Sequence, residues 1–145
     1  MAGILLQLLA ASLYVALFTR RWKARPRGPV LASPQQATSA GERGLLLIAL
    51  AAHAASLKLE IFPGDGMRFS FAIALSVIVW LALSLYWVES FYARLEGLQL
   101  MGLPLAVVCV LLPAAIPADH LLANARSAGF RVHFLMAMLA YSLFT

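Results

Sequence analysis

Residues 3–18 read GILLQLLAASLYVALF, and the chain continues with Thr19, Arg20, Arg21, Trp22 and Lys23. The apolar run holds no charge, and cations follow it instead of preceding it. A cleavable signal peptide has the reverse order, with positive charge ahead of the apolar core. The order here predicts a retained first membrane span with its N-terminus outside. At 1.5 Å per residue the run covers roughly 25 Å, slightly short of the ~30 Å hydrocarbon core, and Met1 and Ala2 extend it.

Composition agrees with that reading. The 145 residues are 63% hydrophobic and 12% charged. Soluble domains carry about 25% charged residues, so an ordinary soluble domain is excluded, and the high hydrophobicity excludes a disordered chain. Eleven Lys and Arg stand against six Asp and Glu, a net charge of +5. In a membrane chain such an excess marks cytoplasmic loops, not nucleic-acid binding. Cys109 is the sole cysteine, which leaves no intrachain disulfide and no thiolate metal cluster.

Working outward, further apolar runs follow at residues 44–62, 69–88, 98–116 and 131–145. The expected fold is an all-α polytopic transmembrane helical bundle of about five spans, one membrane domain over residues 1–145. Residues 19–43 form the longest polar segment, with Pro26, Pro29 and Pro34, and are expected as a cytoplasmic loop. Pro63, Gly64, Asp65 and Gly66 read as a turn. Trp22, Tyr86 and Trp87 stand where interfacial aromatics belong, and Pro104 and Pro113 predict kinks in the fourth span. Residues 131–145 would cover only about 22 Å as a helix, so the chain is expected to be part of a longer protein.

Positive charge sets the orientation. Segments 19–43 and 89–97 carry Arg20, Arg21, Lys23, Arg25, Arg27, Arg43 and Arg94, against Lys58, Arg68, Arg126 and Arg131 on the other side. This asymmetry puts residues 19–43 in the cytoplasm and the 63–68 and 117–130 loops outside. Small residues at Ala51 and Ala55, and at Ala52 and Ser56, permit close helix packing.

An ionisable side chain inside a span is costly and marks a candidate site. His53 is first by that criterion, and helical spacing puts it on one face with Leu57 and Glu60. Its imidazole could hydrogen-bond between helices, ligate haem iron or relay a proton. His133 lies near the outer end of the fifth span, two residues after Arg131 and on a face with Tyr141. His120 lies in the outer loop beside Asp119 and reads as solvated. Zinc-ligand spacings, a phosphate loop, a nucleophile elbow and a Ser-His-Asp set are all missing from the sequence. The expectation is a non-enzymatic protein.

Two stretches carry a family resemblance: LLLIALAAHAASLKLEIFP at residues 45–63 and RVHFLMAMLAYSLFT at residues 131–145. The chain resembles the N-terminal half of the cytochrome c assembly (CcsA/CcmC-like) membrane family, in its YpjD-type inner-membrane branch. In that resemblance His53 matches an intramembrane histidine. His133 falls on the histidine that in relatives faces outward and ligates haem iron, and Tyr141 and Ser142 fall on the tyrosine-containing end of the motif. What it implies is haem binding and presentation near the outer face of a bacterial inner membrane. His133 would be an axial ligand, His53 would line a deeper path, and Arg131, with Arg126, would meet the propionates. Membrane lipid and cytochrome c maturation components would be the partners. Relatives that handle haem also carry a tryptophan-rich outer segment, which these residues lack. Two other classes compete: a structural or regulatory membrane subunit whose histidines only pack, and a small transporter built around His53, Pro104 and Pro113.

Overall fold

The computed structural model describes residues 2–24, 39–62, 68, 70–92, 96–116 and 127–144. Most of the loop at 19–43, the turn at 63–66 and most of the loop at 117–129 lie outside these residues. The chain forms five helices: α1 (Ala2–Lys23), α2 (Ala40–Ile61), α3 (Phe71–Glu89), α4 (Glu96–Ala115) and α5 (Ala128–Phe144).

Helix α1 runs five residues past the apolar run, so Arg20, Arg21 and Lys23 occupy its last turn. Arginine and lysine are good helix formers, and cations suit the negative end of the helix dipole. Helix α2 likewise begins four residues ahead of its apolar run. Ser39 caps it, accepting from the Glu42 amide while the Glu42 carboxylate accepts from the Ser39 amide. This reciprocal capping box satisfies two amides that the first turn would leave bare. Ser70 does the same for α3, its hydroxyl accepting from the Ile73 amide at 3.2 Å. Ser127 accepts from the Phe130 amide at the start of α5. Helix α4 continues through both Pro104 and Pro113.

Helices α1 to α4 close a ring in which α1 packs on α2 and α4, and α3 packs on α2 and α4. Neighbours run antiparallel, as the side-chain contacts show. The end of α1 meets the start of α2 through Arg21 and Glu42, 2.7 Å apart. The start of α2 meets the end of α3 where Arg43 donates to the Ser90 carbonyl at 2.6 Å. The end of α3 meets the start of α4 where the Tyr86 hydroxyl donates to Gln99 Oε1 at 3.1 Å. The core joins Ala10, Tyr14 and Leu17 of α1 to Leu46, Ala49 and Leu50 of α2, Val79 and Leu83 of α3, and Leu103, Ala106 and Cys109 of α4. At Gly102 a Cβ would lie 3.3 Å from Leu83 Cδ2, so glycine sets how closely α3 and α4 approach.

Helix α5 stands outside the ring. It packs on α3, and Phe130, Phe134 and Met138 cover a smaller apolar cluster of Leu57, Ile61, Ile73 and Val77 at the α2–α3 seam.

The apolar core carries buried polar groups, and the outer surface is largely apolar, unlike that of a water-soluble bundle. Gln7, His53, Ser56, Ser76 and Gln99 are buried, whereas Leu5, Leu8, Ile48, Phe71, Met101, Val108 and Leu135 are exposed. Water would make such a surface unfavourable, and hydrocarbon makes it ordinary. Helices α1, α2 and α3 are each long and apolar enough to cross a membrane. The apolar parts of the other two, Gln99–Ala115 and Val132–Phe144, are shorter. Of the five spans expected, three therefore meet the length requirement among the described residues.

Candidate functional site

Helix α2 places His53 about 20 Å from its first residue and about 12 Å from its last, deep within the ring. The imidazole is 0% exposed. Its Nδ1 lies 3.2 Å from the Tyr14 hydroxyl of α1, and its Nε2 lies 2.9 Å from the Ser76 hydroxyl of α3. The Tyr14 ring meets the imidazole edge-on, with centroids 5.9 Å apart. Ser56, one turn along, donates its hydroxyl to the His53 carbonyl at 2.8 Å. Serine in a span loses little by this, because the carbonyl's second lone pair satisfies a hydroxyl that has no water to bond.

A neutral imidazole has one donor and one acceptor nitrogen. A hydroxyl can play either part, so Tyr14 and Ser76 satisfy the ring in either tautomer. The result is a hydroxyl–imidazole–hydroxyl crosspiece from α1 through α2 to α3. It runs across the bundle. Along the bundle axis, Leu50 and Leu46 on one side and Leu57 on the other are buried apolar neighbours on α2. A proton wire between the two membrane faces would need polar groups where those leucines stand. Iron ligation needs a bare ring nitrogen, and in this arrangement each ring nitrogen faces a hydroxyl.

A second rung lies nearer the C-terminal end of α2. The Gln7 amide donates to the Glu60 carboxylate. Gln7 and Tyr14 are seven residues apart on α1, as are His53 and Glu60 on α2. Seven residues are close to two turns, so each pair forms a stripe on its own helix, and the antiparallel stripes meet as two rungs about 10 Å apart. Helical spacing placed His53, Leu57 and Glu60 on one face, and the structure has His53 and Leu57 buried there with Glu60 half-buried. Other polar ties follow toward the basic end. The Trp80 indole donates to the Leu50 carbonyl at 2.9 Å, and the Trp87 indole to the Arg43 carbonyl at 3.0 Å.

The second sequence candidate, His133, is exposed on α5, and so is Tyr141. His53 is enclosed by α1, α2 and α3, and the fold does not bring the two histidines together. The side chain of Arg131, and His120, Asp119 and Arg126 altogether, lie outside the described residues. Among the described residues no group of three His, Cys, Asp or Glu side chains could hold a metal ion. Of the small-residue pairs, Ala52 and Ser56 are buried within the ring, and Ala51 is exposed.

Sequence reading passed over Gln7, Tyr14, Ser76 and Gln99, all buried polar groups. The seven-residue spacing of Gln7 and Tyr14, matched to that of His53 and Glu60, was the available signal. Nothing comparable pointed to Ser76 or Gln99. Compared with known proteins, the chain matches no family model, and neither a curated protein nor a solved structure matches it.

Proposed function

We propose that the chain is a non-enzymatic structural or regulatory membrane subunit in which His53 ties three helices together and binds no haem. Five spans, with the N-terminus outside a bacterial inner membrane, complete the reading. Charge asymmetry supports that orientation. The observation that carries the proposal is the engagement of both His53 ring nitrogens by Tyr14 and Ser76 inside a fully buried core. A group used this way contributes to packing specificity and leaves no coordination position. A transport path through His53 has less support, because the polar chain lies across the bundle between apolar layers.

A second reading rests on a different residue. Haem handling of the cytochrome c assembly type would use His133 as an axial ligand, and the exposure of that imidazole on α5 leaves it accessible to a ligand from outside. Absorption spectra of the chain purified from a haem-producing host separate the two. The subunit reading expects no Soret band. A band that disappears in His133→Ala, with membrane insertion intact, would replace it with haem handling.

A further inference from the structure

The end of the ring formed by the close of α1, the start of α2 and the close of α3 gathers four cations: Arg20, Arg21, Lys23 and Arg43. Among the described residues three acidic positions stand at that level, Glu42, Glu89 and, opening α4, Glu96. Glu42 is already committed, capping α2 and pairing with Arg21 at 2.7 Å. Arg43 is held by the Ser90 carbonyl and lies 4.7 Å over the Phe91 ring. Even so, Arg21 Nε and Arg43 Nε are shielded from solvent without an acceptor among the described residues. Arg20 and Lys23 are exposed, and Arg21–Glu42 is the only ion pair among the described residues. Among the described residues, then, cations at this end outnumber carboxylates, and Arg20 and Lys23 are the ones open to an outside anion.

Its depth identifies the missing anion. The exposed aliphatic residues of α1, Ile4, Leu5, Leu8, Leu9 and Val15, stop before Thr19, and the exposed side chain of Trp22 beyond them is of the interfacial kind. When those aliphatic residues fill the hydrocarbon layer, the last turn of α1 stands at the level of lipid phosphates. Guanidinium and ammonium groups there bind phosphate oxygens through charge-assisted hydrogen bonds. We propose that this basic end is a binding site for the phosphate headgroup of an anionic phospholipid. Arg20 and Lys23 make the contacts, and the Arg21–Glu42 and Arg43–Ser90 ties hold the surface in shape. The inference rests on membrane placement alone and is independent of the role given to His53.

The test is thermal unfolding of the full chain in zwitterionic detergent, titrated with phosphatidylglycerol, phosphatidylcholine or inorganic phosphate. Phosphatidylglycerol is expected to raise the unfolding temperature and to saturate, with the other two doing much less. The double variant Arg20→Gln/Lys23→Gln should weaken the apparent affinity roughly 30-fold, since each surface cation is worth about a five-fold change. Lys58→Gln, near the opposite end of the ring, should leave the titration unchanged. Equal stabilisation by phosphatidylcholine would overturn the proposal, as would an unaltered response of the double variant. Stabilisation by inorganic phosphate alone to the same extent would overturn the lipid assignment.

Discussion

The four-helix ring and α5 are built from similar apolar sequence and held in different ways. Each helix of the ring has two ring neighbours, and polar rungs cross its core. Helix α5 leans on a single seam through Phe130, Phe134 and Met138, and leaves Val132, His133, Leu135 and Met136 open. In hydrocarbon, apolar surface gives no net drive to associate, so close packing and interhelical hydrogen bonds must supply it. The ring has both, and α5 shows mainly the first. The two candidate histidines follow this division, His53 serving as a member of the ring and His133 as a free surface of α5.

The contrast can be broken most sharply at His53. Replacing it with alanine opens a cavity and strands Tyr14 and Ser76, a loss of about 3 kcal/mol. Cys109, the sole cysteine and 0% exposed in the ring core, reports the result. A membrane-permeable maleimide should label it much faster in His53→Ala than in the parent chain. An unchanged labelling rate would show that the crosspiece does not hold the ring.

Phe134→Ala addresses the other region. It should cost about 2 kcal/mol of α5 docking, below the usual loss for a fully enclosed phenylalanine because Phe134 is only partly buried. Cys109 labelling should not change, whereas a spin label at Met136 should gain mobility. If Cys109 becomes reactive as well, ring and α5 form one cooperative unit and the division fails.

Tyr14→Phe removes one hydrogen bond and keeps the ring shape. Interhelical bonds in membranes average about 0.6 kcal/mol, so a loss near 1 kcal/mol is expected in a steric-trapping or unfolding measurement. Combined with Ser76→Ala in a double-mutant cycle, the two losses should be coupled through His53. Additive losses would mean that the two hydrogen bonds form independently and that the imidazole does not couple them. The smallest effect belongs to His133→Ala, within about 0.5 kcal/mol by the same measurement, because the residue is exposed. A larger loss would show that α5 is held by more than its apolar seam.

Much of this was legible in the residues. Apolar runs bounded by Arg20, Arg21 and Lys23 on one side of the loop and by Arg43 on the other announced the first two helices. The Ser39–Glu42 capping box lay within the segment expected as a loop, and it explains why α2 starts ahead of its apolar run. His53 was singled out because a lone imidazole among leucines and alanines is costly. Its partners were not legible in the same way. A serine in a span, such as Ser76, commonly bonds its own helix carbonyl, as Ser84 does to the Trp80 carbonyl at 2.8 Å. Only the approach of α3 to α2 turns Ser76 toward a ring nitrogen.

By itself, then, the sequence determined that the chain is helical and apolar, with runs long enough to cross a membrane, because composition and local periodicity act residue by residue. The tertiary structure decided which helices close the ring, which polar groups meet inside it, and that His53 and His133 occupy separate environments. Those outcomes depend on contacts between residues far apart in the chain. A run of leucine and alanine fits several neighbours almost equally well, so helix pairing is settled by the few polar and small residues once the helices are side by side.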